Sequence, residues 1–155
     1  MSLIILIVLV YINVWRPGRV LFSEYIVHPV VIDVSYSGKV HLGKIENGVA
    51  IPLLYQNENN EDLSFRYKVN GGIFLFLPLV LLPFFSLNFR HYLYLIGFHL
   101  LFILFNFLLL VIGVRLFTPF VIIMDFSIRY FVPVLSMAYI PLLMLMRKQG
   151  VISLD

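Results

Sequence analysis

The residues best placed for chemistry stand on the most apolar stretch of the chain. Between Arg90 and Arg115, a polar or small residue recurs every seven positions, at Tyr92, His99, Asn106 and Gly113. Seven residues are close to two helical turns, so these side chains share one helix face. In a membrane this pattern is typical of a helix–helix seam, with close approach at small residues and interhelical hydrogen bonds from His or Asn. The alternative is a proton or ligand relay through His99.

A carboxylate and a guanidinium form the second candidate. Asp125 and Arg129 are four residues apart, so a helix places them on one face and lets them pair. Charges in or near a membrane span are functional hypotheses by default. We favour the simpler interpretation of an intramembrane or interfacial ion pair that neutralises itself and sets the depth of the last helix.

The sequence carries no motif of catalytic or metal chemistry. Its four histidines lack ligand spacing such as HExxH, no serine stands in a GxSxG elbow, and no glycine-rich phosphate loop follows a strand. It also has no cysteine, which excludes disulfides, Cys-ligated zinc, iron–sulfur clusters and cysteine nucleophiles. We therefore expect no catalytic residue, no metal and no cofactor, and a protein that is not an enzyme.

Composition sets the class of protein. Of the 155 residues, 61% are hydrophobic and 12% are charged, whereas a soluble domain has about 25% charged residues. A soluble chain of this length cannot hide so much apolar surface, and a disordered segment does not contain it. The formal net charge is +3, and the basic residues are too scattered to bind nucleic acid. The sequence predicts an integral membrane protein that contacts the lipid bilayer.

Apolar segments in the second half of the chain predict three transmembrane helices, since about 20 apolar residues cross the hydrocarbon of a bilayer. These segments are residues 73–89, 92–114 and 130–146. The first and last contain prolines, which membrane helices tolerate. Residues 116–128 are interrupted by Pro119 and Asp125, so we expect an interfacial stretch there, and residues 147–155 form a short polar tail.

The N-terminus predicts a fourth helix. Residues 1–15 are mostly apolar and lack both the positive start and the small-residue cleavage site of a signal peptide, so we expect an uncleaved membrane anchor. Arg16 and Arg19 follow it. Their long side chains are expected to extend toward the membrane surface while the helix continues toward Tyr25.

Residues 16–72 predict a β-rich loop domain outside the bilayer. Apolar and polar residues alternate over residues 32–37 and again over residues 63–69, which is the period of a half-buried strand. Asn47-Gly48 lies between apolar runs and is a strong hairpin signal. The return strand contains Pro52, which favours an edge position. We expect three or four antiparallel strands.

This predicted sheet needs support from elsewhere. About 40 residues without disulfides or metal are too few for a stable independent sheet. One face carries the apolar side chains of Leu63, Phe65, Tyr67 and Val69. Because an exposed apolar patch normally marks an interaction surface, we expect Phe65 and Tyr67 to contact a partner protein.

The order of these elements resembles the small membrane proteins encoded beside exosortases, especially the exosortase H-associated type. Residues 65–82, FRYKVNGGIFLFLPLVLL, are similar to the start of that family's second helix. Residues 129–146, RYFVPVLSMAYIPLLMLM, are similar to its proline-bearing last helix. The resemblance implies an accessory partner of a protein-sorting protease in the bacterial inner membrane, with the β segment outside the cytoplasm. It supplies no catalytic residue.

Charges near the helix ends favour the opposite orientation. With a cytoplasmic N-terminus, the cytoplasmic segments carry three Lys or Arg residues, against six on the side of the sheet. The positive-inside rule therefore places the sheet in the cytoplasm. We keep the extracytoplasmic sheet that the resemblance implies as the prediction to be tested.

Together these features predict a mainly α-helical membrane protein, with four transmembrane helices and a small antiparallel β segment between the first and second. The expected function is a non-catalytic accessory or structural subunit of a larger membrane protein complex, in contact with other integral membrane subunits. The alternative is a small transporter or proton-pathway component, and its pathway residues are His99, Asn106, Asp125 and Arg129.

Overall fold

A computed structural model describes residues 2–35, 40–42, 49–56, 62–85, 88–115 and 119–149. The first helix, α1, covers residues 2–35 and is composed of Ser2–Val10, Tyr11–Trp15, Arg16–Phe22, Ser23–Val27 and His28–Ser35. Three strands follow, namely β1 (Val40–Leu42), β2 (Ala50–Gln56) and β3 (Asp62–Lys68). The remaining helices are α2 (Ile73–Leu81, extended by a 3₁₀ turn Leu82–Phe84), α3 (Phe89–Arg115) and α4 (residues 119–148).

Three of these helices are long and apolar enough to cross a membrane. They are Leu3–Ile32, Phe89–Arg115 and Pro119–Met146. The helical segment Ile73–Phe84 is shorter. Its 12 residues rise about 18 Å, against about 30 Å of hydrocarbon in a typical bilayer. The protein is therefore a mainly helical membrane protein with an antiparallel sheet between its first and second helices.

Prolines account for the irregular turns of α1 and α4. A proline inside a helix lacks its N–H, and its ring clashes with the carbonyl four residues back. Three π-turns lie two residues before Pro17, Pro29 and Pro133, and they are Tyr11–Trp15, Ser23–Val27 and Ser127–Phe131. At the first of them, the backbone N–H of Arg16 donates to the carbonyl oxygen of Tyr11, five residues back. The wider turn relieves the clash, so the helix continues through its proline.

The first helix extends much further than the sequence predicted. Residues 16–35 are helical, so the predicted β-rich domain of residues 16–72 begins with 20 residues of helix, and the predicted strand at residues 32–37 is wrong for its described part. Arg19, Ser23, Val27 and Val31 are all buried at four-residue spacing. That helical face packs into the protein, and this long-range burial overrides a short local alternation. Residues 36 and 37 lie outside the described residues.

The sheet is antiparallel, with strand order β1-β2-β3. β2 is therefore the central described strand, and the edge position predicted from Pro52 is wrong. β1 pairs with β2 only from Leu42, opposite Leu53, to Val40, opposite Tyr55. Pro52 lies one residue beyond this pairing, so its missing N–H does not interrupt the β1–β2 ladder. The hairpin predicted at Asn47-Gly48 lies outside the described residues.

Two apolar cores divide the bundle along its length. The sheet-side core joins the sheet to α1, α3 and α4, and its largest fully buried members include Tyr67, Ile51, Leu53, Leu110, Met124 and Val27. The α2-side core joins α2 to the first part of α3 and the last part of α4, through Leu75, Leu79, Leu82, Tyr92, Leu95, Ile140 and Leu143. Because α3 runs through both cores, the sheet is packed on the helices and does not form a separate domain.

The last helix also differs from its prediction. Residues 119–148 form one continuous helix, so most of the expected interfacial stretch, residues 116–128, is the first part of α4. Val121 and Met124 of this part are buried in the sheet-side core. Packing against α3 and β3 holds it in the helix although Asp125 interrupts its apolar sequence.

Candidate functional site

Three side chains at four-residue spacing on α1 hold the junction between β3 and α2. Trp15 donates from Nε1 to the carbonyl oxygen of Gly71 at 2.7 Å, and the Tyr11 hydroxyl lies 3.5 Å from the same oxygen. Arg19 donates from Nε and Nη2 to the carbonyl oxygen of Val69, at 3.1 and 2.5 Å. Buried backbone carbonyls that have left a sheet need donors, and α1 supplies them here.

Arg19 was expected at the membrane surface and is instead buried. Only 8% of it is exposed, whereas Arg16 is exposed. Both donors of its fork bind one carbonyl oxygen, whose dipole partly compensates the charge. The sequence did carry a signal for this role. Tyr11, Trp15, Arg19 and Ser23 stand four residues apart, which places three hydrogen-bonding side chains and a serine on one face of a single helix.

Gly71 is required at the junction for two reasons. Its φ is +87°, a backbone conformation that costs any residue with a Cβ. A Cβ at this position would also lie 2.7 Å from Nε1 and Cζ2 of Trp15. The indole of α1 can therefore approach the Gly71 carbonyl only because no side chain intervenes.

The polar stripe of α3 lies inside the protein. Tyr92, His99, Asn106 and Gly113 are all buried. His99 has no exposed surface, and its Nε2 lies 2.9 Å from the Ser136 hydroxyl of α4. That hydroxyl also donates to the carbonyl oxygen of Val132 at 2.6 Å. The chain His99–Ser136–Val132 joins α3 to α4 across the middle of the bundle, and we refer to these contacts together with the stripe as the polar seam.

Gly113 allows a close contact between α3 and α4. A Cβ added there would lie 2.6 Å from Cγ2 of Val121 and 2.8 Å from its backbone nitrogen. Backbones approach this closely only where a glycine stands.

At the opposite end of α3, Tyr92 belongs to the α2-side core, and Nδ1 of His91 lies 3.0 Å from the Tyr139 hydroxyl of α4.

Several buried polar groups near the seam have no hydrogen-bond partner within the described residues. They are both side-chain atoms of Asn106, Nδ1 of His99, Nδ2 of Asn70, and the hydroxyls of Ser23, Ser127 and Tyr67. The Phe22–Phe107 ring contact, at 5.7 Å, joins α1 and α3 one residue away from Ser23 and from Asn106. Buried polar groups without a hydrogen bond cost stability.

Asp125 and Arg129 pair as the spacing predicts for a helix. Arg129 Nε lies 2.9 Å from Asp125 Oδ1, and 51% of the arginine side chain and 18% of the aspartate side chain are exposed. The pair stands on α4 outside the polar seam.

The predicted partner contacts of β3 face the protein's own helices. Tyr67 has no exposed surface and Phe65 is half-buried against the sheet-side core. Tyr67 is therefore not available to another protein, and the expected exposed apolar sheet face is wrong at this position. Burial raises the pKa of the Tyr67 phenol. Among the β3 side chains whose exposure the structure describes, those of Ser64, Arg66 and Lys68 are exposed, so the outer face of this part of the strand is polar.

Among the residues that the structure describes, no three His, Cys, Asp or Glu side chains lie close enough to hold a metal ion. The described side chains instead form two sets of structural hydrogen bonds, which are the clamp of Tyr11, Trp15 and Arg19 on the β3–α2 junction and the polar seam between α3 and α4. No family model, curated protein or solved structure matches this chain.

Proposed function

We propose that this protein is a non-catalytic accessory or structural subunit of a larger membrane protein complex. The proposal rests on one observation, an asymmetry at the depth of the sheet-side core. On the sheet, Arg66 and Lys68 are exposed beside the buried Tyr67. Along the stretches that contribute to the sheet-side core, the outer faces of α3 and α4 expose mainly large apolar side chains, which are Leu101, Leu104, Leu108, Ile122, Ile123 and Phe126, and the exposed charge beside them, Arg129, is paired with Asp125.

This asymmetry favours a second integral membrane protein. Charged strands lie outside the hydrocarbon region, so the bilayer surface on the sheet side lies near the start of α2. An apolar face that continues past this depth on α3 and α4 needs a cover other than water. Another membrane subunit packed on Leu104, Leu108 and Phe126 supplies it.

The use of the polar side chains supports the same proposal. Arg19 and Trp15 bind backbone carbonyls of their own chain, and Ser136 binds His99. In a structural subunit such groups position a small domain against the helices. We propose that these hydrogen bonds of Trp15 and Arg19 hold the sheet so that its outer face contacts the same complex. This face lies outside the cytoplasm, and the complex is one such as an assembly built around a protein-sorting protease.

Co-purification in a mild detergent tests this proposal. Replacing both Leu104 and Leu108 by alanine removes apolar area from the proposed contact, so native partners should be lost from the purified protein. Leu93 lies on the same helix, is similarly exposed, and stands beside Tyr92 and Leu95 of the α2-side core. The control variant Leu93→Ala should retain its partners. A monodisperse monomer that co-purifies with nothing would contradict the proposal.

We also propose four membrane passes, with α2 as a short pass from the sheet side to the start of α3. Its support is the packing of Leu82 with Tyr92 and Leu95, which places the end of α2 beside the beginning of α3. A bilayer accommodates a short segment by local thinning. Because the chain has no cysteine, Ser64→Cys and Gln149→Cys provide single labelling sites. They should react from opposite faces of sealed vesicles, with Ser64→Cys labelled from outside intact cells.

A proton-pathway component is the second candidate, and it is favoured by the unpartnered polar atoms. His99 Nδ1, both Asn106 atoms and the Ser127 hydroxyl are buried without a hydrogen-bond partner among the described residues, and buried polar groups of this kind are the groups that a proton pathway uses. The two candidates differ in one measurement. If the Asn106→Leu variant assembles normally and its proton flux equals that of the wild type, Asn106 only packs against the neighbouring helices. If it assembles normally and abolishes function and proton flux in proteoliposomes, the pathway is correct.

A further inference from the structure

A second feature of the bundle lies apart from the polar seam, in a cavity between α1, α2 and α3. The cavity has a volume of about 220 Å³. Its walls are apolar, and they include Leu6, Val10 and Trp15 of α1, Leu79 of α2, and Phe89 and Tyr92 of α3. From this cavity and its position we propose that the protein binds the hydrocarbon chain of a membrane lipid here.

The length of the cavity matches a lipid chain. Its α1 wall extends from Leu3 to Trp15, which is a rise of about 18 Å at 1.5 Å per residue. One leaflet of a bilayer is about 15 Å deep, half of its roughly 30 Å of hydrocarbon. A single chain lying along α1 is therefore long enough to contact the α1 wall from Leu3 to Trp15.

The chemistry of the walls selects hydrocarbon over water. Trp15 Nε1 and the Tyr11 hydroxyl, the polar atoms that α1 brings to this wall, are already directed at the Gly71 carbonyl. An apolar cavity holds no water, and cavities of about 150 Å³ already bind benzene. Because Val10 and Phe89 are exposed on the outside of the bundle, the cavity is open to the surrounding bilayer.

The size of the cavity excludes a helix of another protein. A helix with its side chains is about 10–12 Å wide, so a segment as long as this cavity needs several times 220 Å³. The short α2 explains why the space exists. Its 12 residues rise about 18 Å and end before they can close the α1–α3 interface along its whole length.

Fluorescence quenching provides the test, because Trp15 is the one tryptophan of the chain and lines the cavity. The purified full chain is reconstituted in phosphatidylcholine vesicles whose acyl chains carry bromine at the middle of the chain. Bromine quenches an indole only at short range, so a chain in the cavity should quench Trp15.

Two matched variants separate the cavity from the bulk bilayer. Val10→Phe fills the cavity, whereas Val14→Phe adds the same ring to an exposed position of α1 that does not line it. Quenching should fall in Val10→Phe and stay at the wild-type level in Val14→Phe. Equal quenching in all three proteins, or an unquenched wild type, overturns the proposal, the latter because another part of the chain or a second subunit then covers the cavity.

Lipid retention gives a reading that does not depend on Trp15. Native mass spectrometry of the wild type in mild detergent should show a retained lipid, and Val10→Phe should lose it. Leu79→Phe fills the cavity from α2 and should lose it too, which guards against a folding defect of one variant. Retention by both filled variants contradicts the proposal. Because these results do not involve the outer face of α3, they are independent of the proposed subunit contact.

Discussion

At the scale of single residues, Gly71 decides how closely the β3–α2 junction approaches α1. Two features disfavour any side chain at this position: the φ of Gly71 is positive, and an added Cβ would lie 2.7 Å from the indole of Trp15. Gly71→Ala should therefore destabilise the protein by about 1–3 kcal/mol, the usual cost of a residue held in a disfavoured backbone region. The measurement is thermal unfolding in detergent, followed by Trp15 fluorescence.

A second glycine provides the control for this variant. Gly97 lies in the middle of α3, and a Cβ there would meet nothing within 4 Å. Gly97→Ala should raise stability slightly, because glycine in a helix costs about 0.5–1 kcal/mol relative to alanine. If both variants change stability in the same direction, the account of Gly71 is wrong.

The hydroxyl of Tyr67 is expected to lower the stability of the folded protein. It is buried without a hydrogen-bond partner within the described residues, and such a group costs free energy. Tyr67→Phe should therefore leave the midpoint of thermal unfolding unchanged or raise it. Tyr67→Ala is the contrasting variant, since it removes a buried aromatic ring and should cost about 3–5 kcal/mol.

The same residue makes stability depend on alkaline pH. Burial raises the pKa of the folded-state phenol above its ordinary value, which is about 10 in an unfolded chain. Above that pH the unfolded state binds fewer protons than the folded state, so the free energy of unfolding is constant with respect to this group below about pH 10 and falls as the pH rises further. Unfolding midpoints measured from pH 8 to 11 should fall less in Tyr67→Phe than in wild type. Equal falls would show that Tyr67 does not titrate as buried.

At the scale of elements, the ion pair of α4 is tested by a double-mutant cycle. Arg129→Ala leaves Asp125, only 18% exposed, without its guanidinium. This single variant should therefore be less stable than the variant with both residues replaced by alanine, since a lone, poorly solvated charge costs more than no charge. The readout is the free energy of unfolding in detergent. A double variant that is the least stable of the set would contradict self-neutralisation.

Elements also show how much of the fold can be predicted from sequence. Periodicity is a local signal, so the α3 stripe, β3 and the four-residue spacing of Asp125 and Arg129 could be identified directly. The length of α1 could not, because residues 16–35 are held in a helix by burial against α3 and the sheet. Over the described part of residues 32–37, this burial outweighs the local alternation of apolar and polar residues, and the chain is helical. The helix α4 continues through Pro133 because a π-turn precedes this residue, and sequence patterns do not predict π-turns.

The candidate site was only half predictable for the same reason. His99 and Asn106 stand out because polar residues are rare on an apolar helix. Arg19 looked like an ordinary interfacial arginine, since its partner, the Val69 carbonyl, lies 50 residues away in sequence. The burial of Tyr67 depends on helices from both ends of the chain, so alternation alone could predict an apolar face but not what covers it.

At the scale of the whole molecule, two surfaces at one depth differ in polarity. The sheet exposes Arg66 and Lys68, whereas the outer faces of α3 and α4 expose mainly large apolar side chains, with Arg129 held in its pair with Asp125. In a protein surrounded only by lipid and water, surfaces at the same depth in the bilayer would have the same polarity on all sides. The difference is the basis for proposing a partner subunit, and it distinguishes this outer face from the α2-side half of α3, where exposed leucines face lipid.

Photo-cross-linking in native membranes tests whether the outer face of α3 contacts a partner subunit. A photoreactive amino acid is introduced in place of Leu104 or, as the control, Leu93, which are exposed by 59% and 52%. The two positions are eleven residues apart, about three helical turns, so they share one face of α3 at different depths. The account predicts a discrete protein adduct from Leu104 and only lipid adducts from Leu93. Lipid adducts alone from both positions would contradict it.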